Sequence, residues 1–121
     1  MEQQEPIHTD AVVATVLETR LDASSAPALK KRITALIQNG YIRIALDLSA
    51  VEFIDSSGLS VLVSALRQLP EDGDLVLIGP RNTVLSMFKL TRLDRVFRIF
   101  GEPAPALAAL SARTIECAMD R

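Results

Sequence analysis

The stretch Asp47-Leu48-Ser49-Ala50-Val51-Glu52-Phe53-Ile54-Asp55-Ser56-Ser57-Gly58-Leu59 decides how this chain folds. It reads as the end of a buried strand, a short apolar bend, and a helix N-terminus that presents one acid and two hydroxyls. Past it, Leu59, Leu62, Val63, Leu66 and Leu69 recur at helical spacing and form an inward face. Ser56, Ser60, Ser64 and Arg67 fall on one stripe, the continuous polar line of an otherwise apolar helix. Ser56 heads that line, at the positive end of the helix dipole. Ser57 is rotated about 100° away from it by helix geometry.

Upstream, Ile42 to Leu48 reads as a core strand. Before it, Leu29, Ile33, Leu36 and Ile37 mark a helix with Ser24 and Ser25 as caps and Pro27 in its first turn. Asn39-Gly40 closes that helix with a left-handed cap. The basic run Lys30-Lys31-Arg32 reads as its solvated face. Val12 to Leu17 is β-branched and apolar, hence a buried strand, and Ile7 to Thr9 a short edge strand. Downstream, Pro70 and Glu71-Asp72-Gly73-Asp74 stop the Ser56 helix. Leu75-Val76-Leu77-Ile78-Gly79 is a continuous apolar run, the mark of a strand covered on both faces. Asn82 caps a third helix with Val84, Leu85, Phe88 and Leu90 inward. Thr91 to Asp94 connects to a last strand, Val96 to Phe100. An Ala-rich helix then runs from about Ala106 to Ala118. Strands alternate with helices, so the class is α/β. The expectation is a four- to five-stranded, mostly parallel sheet, an antiparallel N-terminal edge strand and about four helices.

The 121 residues read as a single domain spanning 1–121, long enough to bury a core. A net charge of −2 offers no general attraction to nucleic acid or to an anionic membrane. The lack of Trp and the single tyrosine, Tyr41, speak against a stacking platform for single strands. One cysteine, Cys117, permits neither an internal disulfide nor a cysteine-cluster zinc site. The acidic Met1 to Pro6 lacks the apolar core of a signal peptide, and no run has the length of a membrane span. The expected location is the cytoplasm.

Catalytic signatures are missing. No G-x-G-x-x-G or G-x-x-x-x-G-K-[ST] cradles a phosphate, and Ser56 and Ser57 do not sit in G-x-S-x-G. The single histidine, His8, reads as an edge-strand surface residue rather than a base, and a serine hydroxyl needs a base to attack. Asp22, Asp47 and Asp55 gather at strand ends, a set that suits Mg²⁺. The competing reading gives Asp47 to a strand and Asp55 to a helix cap. The expectation is no cofactor, no metal and no enzyme.

The quoted stretch is similar to the signature of STAS domains, in particular the small stand-alone anti-sigma-factor antagonists. The resemblance extends from about Val12 to Phe100. Leu21-Asp22-x-x-Ser25-Ala26-Pro27-x-Leu29 resembles the family's segment after its early strand. Val84-x-x-Met87-Phe88-x-Leu90-Thr91-x-Leu93-Asp94-x-Val96-Phe97 resembles its last helix and strand. The resemblance implies a protein switch. Its phosphoacceptor is the first hydroxyl after the aspartate, here Ser56. The phosphorylating partner is a serine kinase of the anti-sigma type with a histidine-kinase-like ATPase fold, bound when Ser56 is unmodified. A PP2C-type phosphatase resets the switch. Asp22, Asp55, Ser57, Gly58, Ser60 and Arg20 are the implied partner-binding positions.

Two places depart from the family pattern: Thr19-Arg20 replaces its Gly-Glu, and Arg92 its glycine after the threonine. Arg20 reverses the charge beside the docking patch and bears on partner choice or on pairing with a modified Ser56. The basic segment Arg81, Lys89, Arg92, Arg95, Arg98 reads as solvated surface. Two further readings stay open. One is an unphosphorylated STAS scaffold or accessory subunit of a transporter or stressosome-like complex. The other is a small hydrolase using Ser56.

Overall fold

The computed structural model describes residues 11–110. Its main sheet holds strands β1 (Ala11–Thr15), β3 (Arg43–Asp47), β5 (Asp74–Ile78) and β6 (Ile99–Phe100), in the order β1-β3-β5-β6 and all parallel. A second, two-stranded parallel ladder pairs β2 (Arg20–Leu21) with β4 (Phe53–Ile54). Helices α1 (Ala26–Gln38), α2 (Ser56–Gln68) and α3 (Asn82–Leu90) make the crossovers, and residues 103–110 form α4. The α/β class and the mostly parallel sheet are as expected. The antiparallel edge at Ile7 to Thr9, His8 and Cys117 lie outside the described residues.

The strand order never reverses. With crossovers of one hand, the connecting helices must then lie on one face. The core agrees: Leu29 and Ile33 of α1, Leu59 and Leu62 of α2, and Val84 and Phe88 of α3 share one cluster with Ile44, Leu46, Leu75 and Leu77. The alternate strand residues Ala45, Val76 and Ile78 point the other way, against Ala106 and Leu110 of α4. Both faces of β3 and β5 are thus covered, which is why these strands read as unbroken apolar runs. Phe88 and Phe97 meet edge to face, centroids 6.0 Å apart, and anchor the end of the chain's last crossover.

Several local expectations change. β1 stops at Thr15 and is only half-buried, because it is the described edge of the sheet; Leu17 is 73% exposed. Ser25 ends up as the N-cap of α1, but its hydroxyl donates to Arg20 O at 2.6 Å instead of accepting from the helix. The Asp22 carboxylate takes the Ser24 and Ser25 N–H groups. Gly40 closes α1 at φ +97°, as the left-handed cap requires. Asn82 is the first residue of α3 rather than its cap, which is Arg81, whose side chain makes no capping bond to the helix. Leu90 points outward at 77% exposure, since it lies about 200° around the helix from Phe88. The last strand shortens to Ile99–Phe100, because Leu93–Arg95 form a 3₁₀ turn into which Val96 and Phe97 donate.

Candidate functional site

The β2–β4 ladder sits at the carboxyl ends of β1 and β3 and sets the site's geometry. Leu21 pairs with Ile54, so Asp22 and Asp55 leave neighbouring strands at the same level. The Asp55 N–H fixes this by donating to Leu21 O at 3.1 Å. Helices α1 and α2 therefore begin side by side.

Asp55 is the N-cap of α2. Its Oδ1 accepts from the Ser57 N–H at 2.8 Å and from the Gly58 N–H at 3.4 Å. Those are the orphan amides that an N-cap acid satisfies. Ser56 is the first helical residue and is exposed, while Ser57 is half-buried. No hydrogen bond among the described residues ties down the Ser56 hydroxyl. Ser60, one turn on, is exposed as well.

Gly58 belongs to the underside of the site rather than to its surface. It is buried, and a Cβ there would lie 2.8 Å from both Leu21 O and Ile54 Cγ1. Only glycine lets α2 press this closely on the ladder. The inward face of α2 is broader than its leucines suggest: Val61 and Ala65 are buried with Leu59 and Leu62, while Val63, Leu66 and Leu69 are half-buried.

Asp22 accepts from the Ser24 hydroxyl at 2.7 Å, from the Ser24 N–H at 3.0 Å, and from Arg20 Nε at 3.4 Å. The Ser24 hydroxyl contributes most to holding its carboxyl at about 2, against an opposing desolvation. Arg20 lies over the Phe53 ring, 4.3 Å from the centroid, and also pairs with Asp22. Its charge is thereby committed within the ladder. Asp47 accepts from Ser49 N–H and Oγ at 2.9 and 2.7 Å. Each of the three acids thus serves its own turn, and among the described residues no group of three His, Cys, Asp or Glu is placed to hold a metal ion.

From Ser56 a groove of about 480 Å³ runs along the polar stripe of α2. Ser56, Leu59, Ser60, Val63, Ser64 and Arg67 form one side, and Thr91 and Leu93 the other. That far wall was not foreseen; its signal in the sequence is the apolar Leu93 beside the residue that replaces the family's glycine. Arg92 adopts φ +63° there, a left-handed conformation in a non-glycine residue. A second hollow, about 350 Å³, lies between β1 and α1 and carries none of the signature residues. The basic segment divides. Arg81 donates to Ser49 O at 2.9 Å and Arg98 pairs with Asp74. Lys89, Arg92 and Arg95 are exposed and in no ion pair among the described residues.

Among the described residues no helix is long and apolar enough to cross a membrane. The family model of the STAS domain matches residues 3–106. A Thermotoga maritima protein, provisionally named an anti-sigma factor antagonist, is 33% identical over 100 residues, covering 81% of this chain and 88% of its own length. The anti-sigma-B factor antagonist of Listeria monocytogenes is 29% identical, covering 82% of this chain and 84% of its own. A crystal structure of an anti-sigma factor antagonist from Mycobacterium paratuberculosis superposes with a TM-score of 0.78 at 29% identity, over 86% of this chain and 88% of that one. The Bacillus cell fate determinant SpoIIAA, solved in a phosphorylated form, shares the fold at a TM-score of 0.64 and 23% identity, over 89% of this chain and 97% of that one. The signature at Asp55-Ser56-Ser57-Gly58, the ladder beneath it and the matched family model agree: this chain belongs to the STAS domain family.

Proposed function

We propose that this chain is an anti-sigma-factor antagonist that works by partner switching, with Ser56 as its phosphoacceptor. Unmodified, it binds a serine kinase of the anti-sigma type and frees what that kinase restrains. Phosphorylated, it lets the kinase go, and a PP2C-type phosphatase returns it to the binding form. The relatives named as antagonists support the role, and the phosphorylated form of SpoIIAA supports the chemistry. One observation carries the reading: Ser56 is exposed at the head of α2, while Asp55 already occupies the next two amides.

That second half of the observation sets how the switch works. A phosphate on Ser56 does not find the Ser57 and Gly58 amides free to receive it. It stays outward and adds roughly two negative charges beside the Asp55 carboxylate. Two unit charges about 6 Å apart interact by about 2.8 kcal/mol at an effective dielectric near 20. A thousandfold loss of affinity needs roughly 4 kcal/mol. Two such repulsions, or one with the cost of stripping water from the phosphate, reach that figure without any refolding. Asp22, Ser57 and Ser60 complete the face that the partner meets, Arg20 tunes its charge, and Gly58 holds it in place from beneath.

The test is incubation with ATP and a histidine-kinase-like ATPase of the anti-sigma type. The expected result is label on Ser56, lost in Ser56→Ala. A stable complex without label favours the scaffold reading instead. Turnover of ester or phosphate substrates by the chain alone, abolished by the same substitution, would support a hydrolase.

A further inference from the structure

The groove continues past Ser56 to a surface that the signature does not describe. Leu90 and Val96, 77% and 52% exposed, stand at the two ends of the turn that supplies Thr91 and Leu93 to the groove. Single exposed leucines are ordinary. These two bracket the turn whose half-buried Leu93 shares the groove's lining with buried Leu59 and half-buried Val63. The edge of the groove is polar, with Ser60, Ser64, Arg67 and Thr91.

Charge says what the surface fits. Arg67 lines the groove, Arg92 and Arg95 lie in the turn that supplies Thr91 and Leu93, and all three are exposed and in no ion pair among the described residues. The exposed Asp94 is the one acid in the 91–96 turn. The patch is thus positive on a chain whose net charge is −2. Arg92 also holds its left-handed backbone where glycine would be free of strain, so the cation is kept at a cost.

We propose that this groove docks an acidic amphipathic helix of a partner protein. The partner's apolar residues, at spacings of three and four, enter between α2 and the 91–96 turn. Its carboxylates meet Arg67, Arg92 and Arg95. Where that partner is the kinase that modifies Ser56, the proposal rests on the reading above; the surface itself does not.

The isotopically labelled full chain, titrated with a synthetic peptide of leucines at helical spacing separated by glutamates, tests the surface alone by NMR. The expected result is saturable shifts at Ser60, Val63, Ser64, Thr91 and Leu93, weakened about tenfold by Arg95→Glu. The same peptide with lysines for glutamates is expected to leave these signals unmoved. Arg92→Gly is expected to weaken the peptide while raising the unfolding temperature, which separates lost binding from lost folding. Equal binding of both peptides, shifts elsewhere, or shifts produced instead by phosphatidylglycerol vesicles overturn the proposal. With the kinase, Arg95→Glu is expected to raise the KM for Ser56 labelling about tenfold at little-changed kcat. If wild-type Ser56 takes no label at all, the switch reading falls, and the peptide titration still decides the groove.

Discussion

A single missing methyl group carries much of the signature. The Asp-Ser-Ser-Gly motif announces its acid and hydroxyls in the sequence, since those types cap helices and receive phosphate. It does not announce that Gly58 must sit 2.8 Å from Leu21 O and Ile54 Cγ1 once a Cβ is drawn. That is a tertiary fact, set by a strand over thirty residues away. Gly58→Ala is expected to cost about 1–3 kcal/mol by overpacking, outweighing the helix propensity it gains. Urea unfolding measures it; a stabilised variant contradicts the packing. Asp22 offers a second test. Its carboxyl lies at about 2 against an ordinary 3.8, so between those values the folded chain binds fewer protons than the unfolded one. Stability from this group is complete above about pH 4 and fades as pH falls toward 2. Ser24→Ala, which removes the leading donor, is expected to raise the Asp22 midpoint and flatten that acid loss. Carbon NMR of the carboxyl reads the midpoint directly, and an unshifted wild-type Asp22 would rule the hydrogen-bond cluster out. No sequence pattern predicts this, because it depends on where the Ser24 hydroxyl turns.

Among the elements, α2 was the most legible because thirteen residues carry both its faces. Leu62 is fully buried in the face the leucines predict, and Leu62→Ala is expected to lose about 2–5 kcal/mol. A loss below about 0.5 kcal/mol would mean that the helix is turned away from the sheet. Short elements were harder. The Val96 to Phe100 run has strand composition, yet the amides of Val96 and Phe97 turn back to Leu93 O of the preceding 3₁₀ turn and leave two residues to β6. The two-residue strands β2 and β4 are too brief to show any period, although they set the whole site. The 91–96 turn supplies the fourth prediction. Arg92→Gly, relieving φ +63°, is expected to stabilise the fold by about 1 kcal/mol after the added freedom of the unfolded chain is subtracted. Calorimetry checks it, and a lower midpoint would show that the Arg92 side chain stabilises the turn by more than its backbone costs.

At the scale of the molecule, the strand order β1-β3-β5-β6 explains why the proposed switch needs no moving part. An order without reversal leaves α1, α2 and α3 on one face, with two helix starts and one ladder fixed against a doubly covered sheet. Ser56 stands outside that packing. A charge added there changes the surface potential and nothing beneath it. Ser56→Asp is therefore expected to leave the unfolding free energy within about 0.5 kcal/mol of wild type, or slightly raise it through the helix dipole. Amide shifts should change around the start of α2 and hardly at all in β3 or β5. Partner affinity, by contrast, is expected to fall in the direction of the phosphorylated form, more weakly because one carboxylate carries about half the charge of a phosphate. Calorimetric titration against the kinase, run beside thermal unfolding of the same sample, measures both quantities. Wild-type affinity in a folded Ser56→Asp would sever charge at this hydroxyl from docking. Weakened affinity together with a destabilised sheet would mean that the switch acts by unfolding, which the exposed position of Ser56 argues against.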